Sequence, residues 1–295
     1  MGCKCYGSER IGGNIMLKKI CAITMARNDL FFLERWIEYY GSQLGKENLH
    51  ILLDGFDQQV PQNVGEATVK HFEHIDAQVA EADKGRINIL THYAKELLKT
   101  YDIVIGTDAD EFLVVDPLCN CSLPQYLSSI HIKTTISGLG MDVGQHLDYE
   151  KVLDKQLPFL KQRQFALVST RYTKAVVISK PVKWGSGFHR VRNHNFKIDK
   201  NLYLFHFGCV DYQMLKDRFR DNDRVKNGWE RHLNKRARTI SIITKSKAIN
   251  ADTYLPIVRI IQTLIRPIYA WNKPSMVGYK LVVKIPERFL KSPLC

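Results

Sequence analysis

Residues 101–117 read Y-D-I-V-I-G-T-D-A-D-E-F-L-V-V-D-P, and this stretch governs how the rest of the chain is interpreted. An apolar strand runs directly into three carboxylates, Asp108, Asp110 and Glu111, before a second apolar run begins. Like charges at the end of a buried strand are costly unless a cation neutralises them. Two carboxylates in an Asp-x-Asp order can hold one divalent ion that is shared with a diphosphate. The same tripeptide also occurs as a solvated acidic turn, so its setting must decide between the two interpretations.

The composition is that of a globular protein, with 295 residues, of which 45% are hydrophobic and 25% charged. No apolar run reaches the ~20 residues that a membrane-spanning helix needs, and residues 1–16 lack the apolar core of a signal peptide. We therefore expect a cytoplasmic protein, with residues 1–15 as a poorly ordered extension. Seven scattered cysteines argue against a disulfide framework. A zinc site formed by the Cys-x-Cys pairs at residues 3 and 5 and at residues 119 and 121 is a weaker alternative to free thiols. A single residue between two cysteines is an unusual spacing for zinc ligands.

The net charge of +13 is concentrated in residues 231–295, where 13 Lys and Arg face only Asp252 and Glu287. Within this basic segment, residues 256–268 predict a short amphipathic helix. Its apolar face consists of Ile257, Ile260, Ile261, Leu264, Ile265 and Ile268, and its polar face of Arg259, Gln262, Thr263 and Arg266. The apolar face either packs on the rest of the protein or docks on an anionic membrane surface. Nucleic-acid binding is not expected, because no reading module accompanies the basic residues.

Hydrophobic periodicity predicts alternating strands and helices over the first 117 residues. We expect strands at 20–24 and 50–53, helices at 30–44 and 83–99, and a further helix and strand between residues 57 and 79. In such α/β sheets, ligands collect at the carboxyl ends of the strands. Thr24, Asp54 and Asp108 all follow or end predicted strands, so we expect them to converge on one site.

Over residues 18–117, the order and spacing of these features resemble the GT-A glycosyltransferases, specifically family-2-like enzymes of the Asp-x-Asp type. The resemblance is carried by Asn28-Asp29, the helix at 33–40, Asp54-Gly55, the segment Gly85-Arg86-Ile87-Asn88 and the Asp-x-Asp itself. It implies a Rossmann-like mixed sheet flanked by helices, with a basic helical C-terminal extension at 231–295. The catalytic domain would span 16–230, with a nucleotide-sugar half at 16–117 and an acceptor half at 118–230.

The resemblance also implies roles for single residues. Asp110 would ligate Mn²⁺ or Mg²⁺ directly, and Asp108 would bridge the metal and the donor ribose. His206, within Leu204-Phe205-His206-Phe207, would complete the metal shell, with His189 as the alternative. The remaining predicted donor contacts are Thr24, Asn28, Asp54, Lys84 and Arg86, whereas we expect Glu111 to pair with a basic group.

An inverting transfer needs a carboxylate that accepts the acceptor's proton. Asp142, in the glycine-rich stretch 138–144 that we predict to be flexible, is the first candidate, followed by Asp148 and Glu150. The predicted partners are a nucleotide-sugar donor and a glycan or lipid-linked saccharide acceptor, in surface polysaccharide biosynthesis.

Two other classes of protein stay open. A sugar-nucleotide nucleotidyltransferase would use the same fold and metal, but the turn Ala26-Arg27-Asn28-Asp29 lacks the glycines of its phosphate loop. A non-catalytic basic adaptor for membranes or nucleic acids would leave the strand-end carboxylates without a purpose.

Overall fold

The computed structural model describes residues 17–194, 197–220, 228–265 and 278–291. In these residues the chain forms an eleven-stranded mixed sheet that helices flank. The predicted fold class, α/β with a mixed sheet, flanking helices and a helical C-terminal part, is confirmed. The predicted extension at 1–15 lies outside the described residues.

The first half of the sheet is parallel and has the strand order β3-β2-β1-β4. Its strands are β1 (Ile20–Ala26), β2 (Leu49–Asp54), β3 (Thr68–Phe72) and β4 (Ile103–Gly106). Because these strands run in one direction, their carboxyl ends lie at the same edge of the sheet.

The second half is mixed. Its strands are β5 (Glu111–Val115), β6 (Thr135–Gly144), β7 (Phe165–Val168), β8 (Val177–Ile178), β9 (Lys197–Cys209), β10 (Ile249–Asn250) and β11 (Val282–Lys284). The short strand β8 joins the two halves, because it pairs antiparallel with both β4 and β6. Strand β9 lies between β5 and β6, antiparallel to the first and parallel to the second.

The described helices are α1 (Leu30–Leu44), α2 (Val79–Leu97), α3 (Leu123–Ser129), α4 (Phe159–Gln162), α5 (Tyr212–Phe219), α6 (Glu230–Lys245) and α7 (Ala251–Leu264). Helix α1 has the predicted bounds, since Trp36, Ile37 and Tyr40 pack at helical spacing into the core. It ends at Gly45, whose φ of 85° favours a residue without a side chain. The buried indole of Trp36 donates a 2.8 Å hydrogen bond to Thr107 Oγ1, beside the Asp-x-Asp.

Three local predictions were wrong. Between residues 57 and 79 the structure contains strand β3 but no helix, and helix α2 begins at Val79 instead of Asp83. The stretch 138–144 is not a flexible loop but part of the fully buried strand β6. A side chain at Gly140 would collide with the backbone carbon of Tyr172. Glycine at this position therefore permits close packing and does not provide flexibility.

The basic segment from residue 231 onward contributes to the same sheet. Helix α6 contacts β6, β7 and β9, and β11 pairs antiparallel with β7 and parallel with β10. The division at residue 230 stays a prediction about folding units, but these strands do not form a sheet of their own. Among the described residues, no helix combines the length and the apolar character required to cross a membrane.

Candidate functional site

The carboxyl edge of the parallel strands carries some, but not all, of the residues predicted to meet there. Strand β1 continues to Ala26, so Thr24 lies two residues before its end and is 0% exposed. The side chain of Thr24 is therefore enclosed in the sheet, which does not fit the predicted donor contact. Asp54 ends β2, and Asp108 follows β4 by two residues, as predicted.

The loops after β1 and β2 are tied to each other. Asn28 adopts a left-handed φ of 51°, its backbone N–H donates to Gln58 Oε1 at 2.7 Å, and its Oδ1 accepts from Gln58 Nε2 at 3.1 Å. The Asp54 carboxylate accepts a hydrogen bond from the backbone N–H of Ile75 at 3.2 Å and lies 3.0 Å from His74 Nδ1. Asn28 and Asp54 thus occupy one edge of the sheet, each held by a defined hydrogen bond.

Asp108 lies between two cations. Arg86 Nη1 on α2 contacts one oxygen at 2.8 Å, and Lys174 Nζ contacts the other at 2.8 Å. Burial opposes the ionised form, but Lys174 and Arg86 outweigh it and hold the pKa of Asp108 well below its usual range. Lys84, two residues earlier on α2, is exposed and takes part in none of the described ion pairs that reach the Asp-x-Asp. The structure therefore brings Arg86, and not Lys84, to the Asp-x-Asp.

Glu111 pairs with a basic group, as predicted from its place on the outgoing strand. Its Oε1 lies 2.5 Å from Lys174 Nζ, and both side chains are almost completely buried. Burial raises the pKa of Glu111 to about 7, although Lys174 acts in the opposite direction. Lys174 therefore contacts two carboxylates, those of Asp108 and Glu111.

Asp110 belongs to a chain of charged groups that the strand register assembles. On β9, His206 lies opposite Asp142 of the neighbouring strand β6. On the other side of β9, His206 lies opposite Glu111 of strand β5. The His206 ring spans two carboxylates, with Nδ1 2.7 Å from Asp142 Oδ1 and Nε2 3.4 Å from Asp110 Oδ2. Burial disfavours the charged ring, yet Asp110 and Asp142 prevail and raise the pKa of His206 to about 9.

Two further groups enclose His206. The ring of Tyr172 stacks on it, with a centroid distance of 3.7 Å and an interplanar angle of 14°. Arg236 on α6 donates a 3.1 Å hydrogen bond to Asp110 Oδ2. Gly208 makes this packing possible, because a Cβ there would lie 2.6 Å from the imidazole and 2.8 Å from the Arg236 guanidinium carbon.

Asp142 does not have the surroundings of a proton acceptor for a substrate. It is buried, one oxygen contacts His206 Nδ1, and the other accepts from Thr239 Oγ1 at 3.0 Å. Of the other candidates, Glu150 accepts backbone N–H groups from His146 and Gln164, at 2.7 and 2.6 Å. Asp148 is exposed in the same loop. In the structure Asp142 thus contacts His206 and Thr239, and its catalytic role stays a prediction.

The donor atoms at Asp110 suit a divalent cation. Asp110 Oδ2 and His206 Nε2 are 3.4 Å apart, close enough to share one ion. The other ring nitrogen of His206 is held by Asp142, which is the usual outer partner of a metal-ligating histidine. Asp142, His206 and Cys209 also have donor atoms within 4.8 Å of one another. This second set is less suitable, because burial raises the pKa of the Cys209 thiol far above its usual value.

His189, the alternative metal ligand, contacts the Arg171 carbonyl oxygen through Nδ1 at 2.9 Å, whereas it is His206 whose ring lies against Asp110. The neighbouring Trp184 and Phe188 are buried against Gly106 and belong to the core. The proposed cysteine zinc site includes Cys3 and Cys5, which lie outside the described residues.

Two cations of the site, Lys174 and Arg236, were not predicted from the sequence. Each reaches the site across a long separation, 66 residues to Asp108 and 126 residues to Asp110. The only local signal for Lys174 is a lysine placed directly before the apolar run 175–178, and Arg236 lies unmarked within a basic stretch.

No protein-family model matches this chain, and no curated protein matches it either. Among solved structures, it is similar to the mannosyltransferase PcManGT from Pyrobaculum calidifontis in complex with GDP-Man and Mn²⁺, with 12% identity and a TM-score of 0.37. That match covers 87% of this chain and 83% of the mannosyltransferase.

A second similar structure is mannose-1-phosphate geranyltransferase from Thermus thermophilus, with 10% identity and a TM-score of 0.26. This match covers 78% of this chain and 65% of that protein. Both TM-scores are below 0.5, so neither similarity assigns a function to this chain.

Proposed function

We propose that this chain is a metal-dependent GT-A glycosyltransferase, family-2-like, which moves a sugar from a nucleoside-diphosphate donor to a glycan or lipid-linked acceptor. One observation carries the proposal. Asp108 and Asp110 follow a parallel strand at the edge where ligands bind in α/β sheets, and His206, itself held by Asp142, faces Asp110.

The charges around the Asp-x-Asp support a diphosphate as ligand. Arg86, Lys174, Arg236 and His206 all contact the carboxylates of Asp108, Asp110 or Glu111. Phosphate oxygens are strong acceptors for guanidinium groups, so Arg86 and Arg236 can exchange part of their carboxylate contacts for a diphosphate. Asp54 and Asn28, at the ends of neighbouring strands, are our candidates for contacts with the nucleoside.

Asp110 and His206 are the residues that would hold Mn²⁺ or Mg²⁺, with Asp108 beside them on the ribose side. A bound divalent ion supplies stabilisation of the negative charge that develops on a diphosphate leaving group. Asp142 keeps the His206 ring oriented, Thr239 holds Asp142, and Lys174 fixes the positions of Asp108 and Glu111. The acceptor class and a role in surface polysaccharide biosynthesis are parts of this proposal that rest on the resemblance of the motifs.

Calorimetric titration of UDP and of GDP, with Mn²⁺ and with EDTA, tests the proposal. We expect one nucleotide to bind only with the metal, and Asp110→Asn to weaken that binding by about tenfold or more, since a direct ligand is lost. Asp148→Asn removes an exposed carboxylate of the same type and is expected to leave the binding unchanged.

Folded protein that binds neither nucleotide would contradict the assignment of the donor site. Binding that is equally strong in EDTA and in Asp110→Asn would retain a nucleotide site but remove the metal from it. With the nucleotide identified, release of nucleoside diphosphate from the corresponding sugar nucleotides would then measure the activity itself.

A further inference from the structure

Helix α7 presents its apolar face outward. Five residues at the spacing i, i+3, i+4, i+7 and i+8 are between 38% and 75% exposed: Ile257, Ile260, Ile261, Leu264 and Ile265. Tyr254, one turn earlier on the same stripe, is 43% exposed. We call these six residues the isoleucine row. Ile268 and Arg266, which were predicted for this helix, lie outside the described residues.

The helix is held in this orientation by its polar side chains. Arg259 and Gln262, which were predicted for the polar face of the helix, are buried together with Leu255 and Val258. The Arg259 guanidinium lies over the ring of Tyr203 at 4.4 Å, and the Gln262 amide donates to the hydroxyl of Tyr279. These two anchors fix the rotation of the helix, so the isoleucine row cannot turn inward without breaking both contacts.

Six exposed large apolar side chains on one face of a helix indicate a binding surface, because monomeric proteins rarely expose large contiguous apolar patches. The charge of the segment that contains the helix indicates what binds. Residues 231–295 carry 13 Lys and Arg against two acidic residues, and one of these two, Asp252 on α7, is paired with Arg288. Lys284 is exposed on β11 and lies opposite Asn250 of β10, the residue that caps the N-terminus of α7. Lys247 lies four residues before the first residue of α7.

We propose that the isoleucine row and the lysines at the N-terminal end of α7 dock on an anionic lipid bilayer, with α7 lying in the plane of the interface. A helix of this kind inserts its apolar side chains at the level of the acyl chains, while neighbouring cations contact the anionic headgroups. A second copy of the chain fits less well, because it would bring two strongly basic segments together. This inference uses no residue of the nucleotide site and stands or falls separately from the proposed activity.

Flotation of the full chain with vesicles tests the inference. We expect it to bind vesicles that contain phosphatidylserine, to bind pure phosphatidylcholine far less, and to lose affinity as salt is raised. Ile260→Asp combined with Leu264→Asp places two carboxylates in the row and should lower partitioning by about tenfold or more. Val152→Asp adds the same type of charge at another exposed apolar position, in a loop far from α7 along the chain, and should have a much smaller effect.

Three outcomes would overturn the inference. In the first outcome, the wild-type chain fails to bind anionic vesicles at low salt. In the second outcome, the double variant binds them as well as Val152→Asp does, which would mean that charge alone is responsible for binding. In the third outcome, the wild-type chain is a dimer and the double variant is a monomer, which would mean that a second copy of the chain covers the row. Thermal unfolding and nucleotide titration of the same variants report whether they are folded. These two measurements also distinguish a failure of the membrane-docking proposal from a failure of the donor-site proposal.

Discussion

Replacing Lys174 with methionine tests whether the buried cation holds the strand-end carboxylates together. Lys174 Nζ lies 2.5 Å from Glu111 and 2.8 Å from Asp108, and the Glu111 side chain has no exposed surface. Methionine retains most of the volume but none of the charge. Removing one partner of a buried ion pair costs about 3–5 kcal/mol, because the other charge is left without compensation.

Most of this loss should come from Glu111. Asp108 is partly exposed and keeps Arg86 at 2.8 Å, so its share is expected to be about 1 kcal/mol or less. Urea denaturation at constant pH measures the change in the free energy of unfolding. The double variant Lys174→Met with Glu111→Gln should recover more than half of it, because neither charge then remains buried.

Lys99→Met is the matched control, since Lys99 pairs with Glu96 at 2.5 Å on the surface, where both side chains are exposed. We expect its denaturation curve to overlay that of the wild type. A loss below about 1 kcal/mol for Lys174→Met, or a double variant no more stable than the single one, would refute the reasoning.

Two further predictions concern the site and the pH dependence of stability. Gly208→Ala should weaken metal-dependent nucleotide binding by about tenfold, because its Cβ collides with His206 and Arg236. Gly278→Ala is the control, since no atom of the described chain lies within 4 Å of a Cβ there, and equal titrations of both variants would exclude this role for Gly208. Burial, aided by Lys70, lowers the pKa of His50 from 6.5 to about 4. As the pH falls, His50 is therefore protonated in the unfolded chain before it is protonated in the folded one. Between pH 6.5 and 4 this difference should lower the free energy of unfolding by about 1.4 kcal/mol per pH unit. Denaturation of His50→Gln over the same range should show a smaller loss, and parallel profiles would contradict the assignment to His50.

Local pattern was sufficient for the donor half of the sheet. The spacing of Leu33, Trp36, Ile37 and Tyr40 defines α1 on its own, because a helix with one buried face has a single sequence signature. Asp54 and Asp108 were also located correctly, since a carboxylate directly after an apolar strand has to lie at the strand's end. These features depend on neighbours within a few residues.

Features that depend on distant partners could not be predicted. The glycines at 138–144 read as a loop because their backbone neighbours, Tyr172 and Tyr203, are remote in sequence. The amphipathic pattern of α7 was recognised, but which face packs inward depends on Tyr203 and Tyr279. Likewise, no periodicity shows that Lys174 and Arg236 reach the Asp-x-Asp, because a single cation leaves no repeating pattern.

The long sequence separation between Arg236 and Asp110 also affects how the protein is synthesised, and two other arginines pair over still longer separations. Arg236 meets Asp110 across 126 residues, Arg288 meets Asp116 across 172, and Arg218 meets Asp29 across 189. At translation speeds of about 5–20 residues per second, each of these acidic residues leaves the ribosome about 6 to 40 seconds before its arginine. During that interval the growing chain displays these carboxylates without their arginines, and the charge network can close only after most of the protein has been synthesised. A chain cut before residue 236 would lack the arginine that contacts Asp110 altogether.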